Sequence, residues 1–367
     1  MTATSTCITD LTGIQIQALV AGLYEPNYRA KQLQHWIYQG LAISFDEMTD
    51  LPKTFRNRLA QKVQLHSLTS THEVVGHDGT IKTLFTLSDG KTIESTLMSY
   101  PTAKGGTRHT ICLSTQVGCP IGCPFCATGQ QGFERNLTPG EIIDQVLYFS
   151  RRLRDQKDET DTDWDKPAGH ISNVVFMGMG EPLANYDAVL QAIEMLNSPQ
   201  GFGLGARNMV ISTAGLIPQI KRLSQEKLQI GLAISLHASD DALRNKLVPI
   251  NKKYPLGQLI PACREYCEIS GRRVSFEYAL FESINDSVNH ARSLAKLLAG
   301  LNCHVNLIPS NLTDSQGFSP PARGTILAFQ KELARLNIAC TLRQRRGLDI
   351  DAGCGQLRSR LAKTMQT

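Results

Sequence analysis

The stretch HTICLSTQVGCPIGCPFCATG, from His109 to Gly129, joins an apolar run to a loop that contains three cysteines. Cys119, Cys123 and Cys126 lie within eight residues, and no fourth cysteine is near them. A structural zinc site needs four protein ligands, and clusters that only transfer electrons usually take four cysteines. Three thiols therefore predict either an iron cluster with one iron left open for a small molecule, or a zinc site completed by a distant His or Cys.

Six apolar runs with strand-like composition alternate with helix-like segments from about Thr107 onward. The runs are HTICLSTQ, NVVFMGMG, NMVISTAG, LQIGLAISLHA, RRVSFEYALF and HVNLIPSN. Continuous apolar runs are typical of parallel strands that are covered on both faces, and strand-helix repeats favour a parallel sheet. Since eight such units normally close a full barrel, six of them predict an α/β fold with a partial (βα)6 barrel.

Polar or glycine-rich groups follow most of these strands. They are GMGEP after the second strand, Ser212 and Thr213 after the third, Ser235 and His237 after the fourth, and Asn311 after the sixth. Because the carboxyl ends of barrel strands form one mouth, where active sites lie, we expect these groups to lie beside the cysteine loop. Taken singly, each also fits an ordinary role as a helix cap, a core histidine or a turn residue.

The sequence divides into three regions. Residues 1–95 combine amphipathic patterns over Leu11–Tyr24 and Tyr28–Tyr38, a basic segment with Lys53, Arg56, Arg58 and Lys62, and short alternating stretches. They predict a small helical and β accessory domain, which either contacts RNA or caps the larger domain. Residues 96–345 form the predicted barrel, in which the polar stretch 155–166 is expected to be a surface loop. Residues 346–367 form a basic C-terminal segment.

Composition and charge limit the classes of protein. The 367-residue chain has a formal net charge of +5 and ten irregularly spaced cysteines. It has neither an apolar leader nor about 18 uninterrupted apolar residues, so we expect a cytoplasmic protein with reduced thiols or metal ligands. From Arg335 onward, seven basic residues stand against two acidic ones. Such a run is typical of a solvated face and is also suited to phosphate contact.

The pattern Cys119-x-x-x-Cys123-x-x-Cys126, with an aromatic residue before the last cysteine, resembles that of the radical S-adenosylmethionine superfamily. The resemblance implies that each cysteine holds one iron of a 4Fe-4S cluster and that S-adenosylmethionine binds the fourth iron. The segment GMGEP resembles the glycine-and-acid segment of that superfamily. It makes Gly180 and Glu181 expected cofactor contacts, with Glu181 accepting a hydrogen bond from the ammonium group.

Further blocks resemble the RlmN-type methyltransferases over about Glu25 to Leu361. These blocks are QVGC, QQGFERNLT, GMGEPLANY, STAG, SLHA, VPINKKYPL, HVNLIP and RRGLDIDAGCGQL. The resemblance implies methylation of carbon 2 of adenine in 23S ribosomal RNA and in transfer RNA. The last block is shared with the Cfr-type enzymes, which methylate carbon 8, but Pro182 and the RRG before the acidic pair favour the RlmN type.

The resemblance also implies a radical mechanism in which cysteine carries the methyl group. Carbon 2 of adenine is electron-poor and cannot attack a sulfonium methyl directly. By resemblance, Cys354 is methylated first, and its methyl carbon then becomes a radical that adds to the base. Cys112 resolves the adduct by forming a disulfide with Cys354, and Glu94 accepts a proton from the base. The family usually has alanine where this chain has Gly353, which gives the backbone beside Cys354 more freedom.

The remaining expectations concern ligands and partners. By resemblance, the further S-adenosylmethionine contacts are Ser212, Ser235, Leu236, His237 and Asn311. The basic residues around Cys354 are expected to contact RNA phosphates; they are Arg343, Arg345, Arg346, Arg358 and Arg360. An adenine that is unstacked from its helix is the expected substrate, because a stacked base could not enter a barrel mouth. The expected partners are 23S ribosomal RNA, transfer RNA and an electron donor protein, with no membrane, for a protein acting as a monomer.

Two other functions are compatible with part of the pattern. The first is a Cfr-type adenine carbon-8 methyltransferase of ribosomal RNA. The second, from another class, is a noncatalytic RNA-binding protein that contains zinc.

Overall fold

The computed structural model describes residues 6–103, 106–156, 170–311 and 317–357. Within these ranges no helix is long and apolar enough to cross a membrane. Most of the polar stretch 155–166, together with Arg358 and Arg360, lies outside the described residues.

A ten-stranded sheet forms the centre of the fold, in the order β1-β2-β3-β4-β7-β8-β9-β10-β11-β12, and β5 pairs with β6 in a separate ribbon. The strands are β1 (Leu68–Val75), β2 (Ile81–Leu87), β3 (Thr92–Pro101), β4 (Thr107–Cys112), β5 (Gln116–Gly118), β6 (Phe133–Asn136), β7 (Asn173–Phe176), β8 (Met209–Thr213), β9 (Gly231–Ser235), β10 (Val274–Leu280), β11 (Cys303–Pro309) and β12 (Cys340–Leu342). All pairings from β4 to β12 in the sheet are parallel, whereas β1 to β4 pair antiparallel. The sheet thus contains the six predicted parallel strands, with additions at both edges.

Helices connect the parallel strands as predicted. The α-helices are α1 (Gly13–Gly22), α2 (Tyr28–Tyr38), α3 (Lys53–Lys62), α4 (Ala127–Gln130), α5 (Pro139–Asp155), α6 (Tyr186–Asn197), α7 (Ile217–Ser224), α8 (Asp241–Leu247), α9 (Leu256–Ser270), α10 (Val288–Leu297) and α11 (Arg323–Arg335). Helix α5 starts with the capping box that its sequence predicts. The Thr138 side chain accepts from the backbone N–H of Glu141, and the Glu141 side chain accepts from the backbone N–H of Thr138.

The apolar runs form strands because both faces of the sheet are covered. Side chains such as Val174, Phe176, Ile234, Phe276 and Val305 are fully buried and belong to one continuous hydrophobic core. Parallel pairing aligns the carboxyl ends of neighbouring strands, as in the register that runs from Val274–Cys303 to Leu280–Pro309. The polar residues that follow each strand therefore come together at one edge of the sheet.

The N-terminal region is joined to the barrel through the sheet. Strands β1, β2 and β3 extend it beyond β4, and the sequence boundary placed near residue 95 falls within β3. In the basic segment, Arg56 pairs with Asp46 at 3.6 Å and Arg58 pairs with Glu25. Two of the four basic side chains proposed for RNA contact are thus already paired within the protein.

Candidate active site

The three cysteines of the predicted cluster loop lie at one cavity in the mouth of the barrel. The loop follows β5, whose last residue Gly118 has a φ of +73°. A Cβ at Gly118 would lie 1.8 Å from the carbonyl oxygen of Gly132, so only glycine fits this turn. The tight pairing of β5 with β6 therefore fixes where the loop begins.

The same cavity is lined by nearly all the residues that the sequence predicts around the cofactor. They are Cys119, Cys123, Cys126, Gly180, Glu181, Ser212, Ser235, His237, Asn311 and Cys354. These residues come from the loop after β5, from the ends of the four parallel strands β7, β8, β9 and β11, and from the C-terminal segment. The structure thus brings together groups that are up to 235 positions apart in the sequence, between Cys119 and Cys354.

Burial keeps the three loop thiols protonated at neutral pH. It raises the pKa of Cys119 to about 12 and also raises the pKa of Cys126. For Cys123, burial and then the negative charges of the two other thiolates raise the pKa well above its ordinary value. Metal ions bind cysteine as thiolate, so binding here must release protons.

The chemistry of the donor set fits an iron-sulfur cluster. The three thiols line one cavity, and thiolates are the usual ligands of iron-sulfur clusters. With three thiolates on a four-iron cluster, one iron is left for a ligand that is not protein.

Glu181 is buried in the cavity wall with its carboxylate already oriented. Its Oε1 accepts from the Leu183 backbone N–H at 3.0 Å, and its Oε2 accepts from that of Ala214 at 2.7 Å. Burial raises the pKa of Glu181 to about 7, although these hydrogen bonds favour the charged form. A ligand ammonium group here would compensate the carboxylate charge, as the sequence expectation requires.

His237 presents a defined tautomer. It has a φ of +59°, which is uncommon for a residue other than glycine. Its Nδ1 accepts from the Ala279 backbone N–H at 3.0 Å, and burial lowers its pKa to about 3. The ring is therefore neutral with its proton on Nε2, which makes that nitrogen a hydrogen-bond donor.

Asn311 connects the cavity to the segment that carries Cys354. Its Nδ2 donates to the Cys354 carbonyl oxygen at 3.1 Å, while its buried Oδ1 has no hydrogen-bond partner among the residues that the structure describes. A Cβ at Gly353 would lie 2.4 Å from that Nδ2. The glycine that departs from the usual family sequence therefore permits this close approach.

Two further contacts hold the segment against the cluster loop. The Ala127 backbone N–H donates to the Gly355 carbonyl oxygen at 2.8 Å, and Thr128 Oγ1 donates to the Leu357 carbonyl oxygen at 2.7 Å. Cys354 itself is exposed. Its thiol is thus presented to the cavity by a segment that is fixed on both sides.

A second cavity adjoins the first and contains Cys112. Cys354, Asn311 and Arg343 line both cavities, whereas Cys112 lines only the second. Cys112 is the buried last residue of β4. Burial, together with the negative charge of Cys354, raises the pKa of the Cys112 thiol to about 12. The two thiols assigned to one reaction thus lie at one cavity.

Arg343 lies at the junction of the two cavities and was not expected there. The sequence predicts a phosphate contact, but Arg343 Nη1 lies 3.5 Å from a carboxylate oxygen of the buried Glu277. The charges of Cys354 and Glu277 raise the pKa of Arg343. Arg343 therefore lines the cavities of both thiols, and a basic residue in a basic run gave no signal of this.

Two predicted site residues line neither of these cavities. Leu236 is fully buried, and its carbonyl oxygen accepts from Arg244. Glu94 is buried on β3, where its Oε1 lies 3.7 Å from the Lys82 ammonium. Lys82 Nζ also donates to the Asp351 carbonyl oxygen at 3.3 Å, so the carboxylate is linked to the segment that carries Cys354.

Comparisons with known proteins agree with this fold and site. The family model of the radical SAM superfamily matches residues 113–294, and that of the ribosomal RNA large subunit methyltransferase N-terminal domain matches residues 6–65. The crystal structure of a radical SAM methyltransferase from Sphaerobacter thermophilus is 47% identical, covers 96% of this chain and 99% of that chain, and has a TM-score of 0.90. Fold and site together define a radical S-adenosylmethionine methyltransferase.

Curated relatives narrow the class. The probable dual-specificity RNA methyltransferase RlmN of Syntrophomonas wolfei is 46% identical over 94% of this chain and 95% of that protein. The protein of the same name from Chloroflexus aurantiacus is 45% identical over 98% of this chain and 95% of that protein. The chain therefore belongs to the RlmN family. The predicted family, the partial-barrel fold, and the use of a 4Fe-4S cluster with S-adenosylmethionine are confirmed.

Proposed function

We propose that the chain is a dual-specificity RNA methyltransferase that adds a methyl group to carbon 2 of adenine in 23S ribosomal RNA and in transfer RNA. The observation that carries the proposal is the position of Cys354. It lines the cavity of the three loop cysteines and also the cavity of Cys112. One thiol can therefore face the cofactor in one step and the resolving thiol in another.

The residues of the first cavity have separate tasks. Cys119, Cys123 and Cys126 would hold three irons, and Glu181 would accept from the ammonium group of S-adenosylmethionine. When bound, the cluster and S-adenosylmethionine supply a 5'-deoxyadenosyl radical, and a further S-adenosylmethionine supplies the methyl group. Neutral His237 can donate a hydrogen bond to this ligand, and Oδ1 of Asn311, which has no partner in the described part of the chain, can accept one.

Cys354 would accept the methyl group and then hold the RNA. Its exposed thiol can reach a sulfonium methyl, and displacement at that carbon requires the thiolate form. Loss of a hydrogen atom from the S-methyl group leaves a carbon radical that adds to the base. The base is then tethered through the carbon on the sulfur of Cys354.

Cys112 would release the product. Its sulfur attacks the sulfur of Cys354, so that a disulfide forms while the bond from the Cys354 sulfur to the product carbon breaks and that carbon takes up a proton. The unpaired electron of the adduct would return to the cluster. The raised pKa of Cys112 means that this thiol must lose its proton at that stage. Arg343, which lines the same cavity, can stabilise the thiolate that results. Two electrons from a dithiol reductant then restore both thiols.

Glu94 remains the proposed acceptor of the proton from carbon 2. Thr96 is paired with Cys112 across β3 and β4, so both side chains point to one face of the sheet. Glu94 is two residues from Thr96 on the same strand, and alternation places it on that face as well. The carboxylate thus lies on the same face of the sheet as the thiol of Cys112.

RNA would approach the mouth of the second cavity. Tyr100 lines it, and its ring lies between two guanidinium groups, that of Arg108 at 5.0 Å and that of Arg346 at 4.9 Å. Arg345 is an exposed cation at the same mouth. Cations bind phosphates, and aromatic and guanidinium planes stack on unstacked bases. These groups support entry of a flipped adenine here.

Four further parts of the proposal follow from the resemblance to the RlmN-type methyltransferases. They are the domain boundaries at residues 95 and 345, contact of the N-terminal region with RNA, reduction by an electron donor protein, and action as a monomer. A reducing compartment such as the cytoplasm would suit a reaction that forms a disulfide in each turnover.

The position of methylation is tested by nucleoside mass spectrometry. Protein loaded with iron and sulfide under anaerobic conditions is incubated with unmodified 23S ribosomal RNA fragments and, separately, with transfer RNA. The proposal expects 2-methyladenosine from both RNA classes. Production of 8-methyladenosine alone would contradict it in favour of the Cfr-type reaction, which the names of the curated relatives do not favour. A single zinc without sulfide would contradict the radical mechanism altogether.

A further inference from the structure

Arg244 is a fully buried side chain on α8, just behind the strand ends that line the first cavity. Its Nε donates to the carbonyl oxygen of Leu236 at 3.1 Å. Its Nη2 donates to two more carbonyl oxygens, that of Ala214 at 2.7 Å and that of Ser235 at 3.1 Å. Its Nη1 donates to Asn251 Oδ1 at 2.7 Å. All four acceptors are neutral. The guanidinium thus joins the ends of β8 and β9 to the loop after α8.

No carboxylate oxygen in the described ranges of the chain lies within 4.0 Å of the Arg244 guanidinium. Its positive charge therefore has no ion-pair partner in those ranges. Burial lowers its pKa to about 10, so the group remains charged at neutral pH. Arginine is rarely fully buried unless it is paired, because a buried charge is costly without an opposite one. Hydrogen bonds to neutral carbonyl groups satisfy its N–H groups but do not neutralise it.

Cys123, a ligand of the cluster, packs against a small group of buried side chains next to Arg244. That group contains Ala214, whose carbonyl oxygen accepts from Arg244, and Leu247 and Val248, which follow Arg244 closely in the chain. Cys263 and Asp241 also act on Arg244 by charge, but less than Cys123 does. Burial is the main cause of the pKa shifts of Cys123 and Arg244, but each group also acts on the other by charge. A thiolate at Cys123, once bound to iron, would therefore face a buried cation.

We propose that Arg244 is a positioning residue that supplies the permanent positive charge behind the iron-sulfur cluster and thereby makes the cluster easier to reduce. Three thiolates bring three negative charges, and each electron added to the cluster brings one more. Net charge is one of the factors that set the reduction potential of such clusters. A buried cation acts strongly because water does not screen it. The inference depends on the cluster site of the family and not on which RNA atom is methylated.

The experiment compares variants by redox titration of the anaerobically loaded protein, followed by electron paramagnetic resonance. Arg244→Gln removes the charge and retains an amide donor, while Arg244→Lys retains the charge and loses most of the hydrogen bonds. Lys246→Gln removes a charge from an exposed position on the same helix and serves as the matched control. The rate of cluster loss to an iron chelator is measured on the same samples.

We expect a more negative midpoint potential and faster cluster loss for Arg244→Gln. Both quantities should stay near the parent values for Arg244→Lys and Lys246→Gln, even if Arg244→Lys lowers the melting temperature. Equal potentials for parent and Arg244→Gln would overturn the inference and would leave a purely structural role. If Arg244→Gln does not fold, the comparison uses Arg244→Lys. A folded Arg244→Lys protein whose midpoint potential is clearly more negative than that of the parent would overturn the inference equally. A parent protein that holds no iron and sulfide would instead refute the proposed function.

Discussion

The cluster loop, Cys119 to Cys126, and the carrier segment, Arg343 to Leu357, reach the same cavity but are held there in different ways. The loop is set by local backbone geometry, in which Gly118 meets Gly132 within one short ribbon. The carrier segment is held by contacts to distant parts of the chain. Asn311, Ala127, Thr128 and Lys82 each bind one of its carbonyl oxygens.

This difference matches the two tasks. A cluster must stay in one place through many turnovers, and a loop that begins at the close contact of Gly118 with Gly132 is suited to that. In the proposed reaction, Cys354 faces first a sulfonium, then a radical and an RNA base, and finally Cys112. A segment that depends on several separate hydrogen bonds can move when some of them are exchanged. We therefore expect substitutions of the loop cysteines to abolish the site, and substitutions in the carrier segment to alter individual steps.

The largest effect is expected for removal of a cluster ligand. Cys126→Ala should prevent formation of an intact 4Fe-4S cluster, because two thiolates do not hold the irons that three would. Methylation of RNA should then be undetectable. Iron and sulfide analysis measures the cluster, and Cys303→Ala, which changes a half-buried cysteine on β11, is the matched control. A full cluster in Cys126→Ala would show that this thiol is not a ligand.

Removal of the resolving thiol should stop the reaction at a later stage. In Cys112→Ala the base can still be added to the methyl carbon on Cys354, but no thiol displaces the sulfur. Protein should accumulate bound to RNA, as a band that denaturing gel electrophoresis separates from free protein. Cys263→Ala, which changes another buried cysteine, should release RNA normally. Normal turnover in Cys112→Ala would contradict the role of this residue.

A methyl group at Gly118 should destabilise the start of the cluster loop. Gly118→Ala places a Cβ 1.8 Å from the Gly132 carbonyl oxygen at a positive φ. We expect the free energy of unfolding in urea to fall by more than about 2 kcal/mol, the sum of left-handed strain and a steric clash. Gly122→Ala has a similar φ of +70° but no atom within 4 Å, so it should cost only about 1 kcal/mol. Equal losses for the two variants would argue against the clash.

A methyl group at Gly353 should have the smallest effect of the four substitutions on the site. Gly353→Ala would push Asn311 away from the Cys354 carbonyl oxygen and displace the carrier segment slightly. We expect methylation of Cys354 to slow by about tenfold, since small misplacements of reacting groups cost rate. The unfolding free energy should change little.

Peptide mass spectrometry over time measures that rate. Gly324→Ala, in α11 with open space around it, is the control and should leave the rate unchanged. A Gly353→Ala protein that methylates Cys354 at the parent rate would mean that the Asn311 contact does not position the thiol.

The loop and the strand ends could be predicted from the sequence because their signals are local. The cysteine spacing, the six apolar runs and the helix over Tyr28–Tyr38 each depend on neighbouring residues. The barrel rule then places the strand ends at one mouth, where the structure has Glu181 and His237.

The contacts of the carrier segment could not be predicted in this way. They join Lys82 to Asp351 and Asn311 to Cys354, across long separations in the sequence. The residues around a basic side chain give no indication that it is turned inward, as Arg343 is, or fully buried, as Arg244 is. Only the packing of the whole sheet decides which cations face the site.

The central claim is that Cys354 carries the methyl group between the two cavities. The most direct measurement follows a methyl label from S-adenosylmethionine by mass spectrometry of the peptide that contains Cys354, before and after unmodified RNA is added. The account predicts a labelled Cys354 before RNA is added, loss of that label afterwards, and the labelled carbon in 2-methyladenosine. Labelled RNA from a Cys354→Ala protein would contradict it.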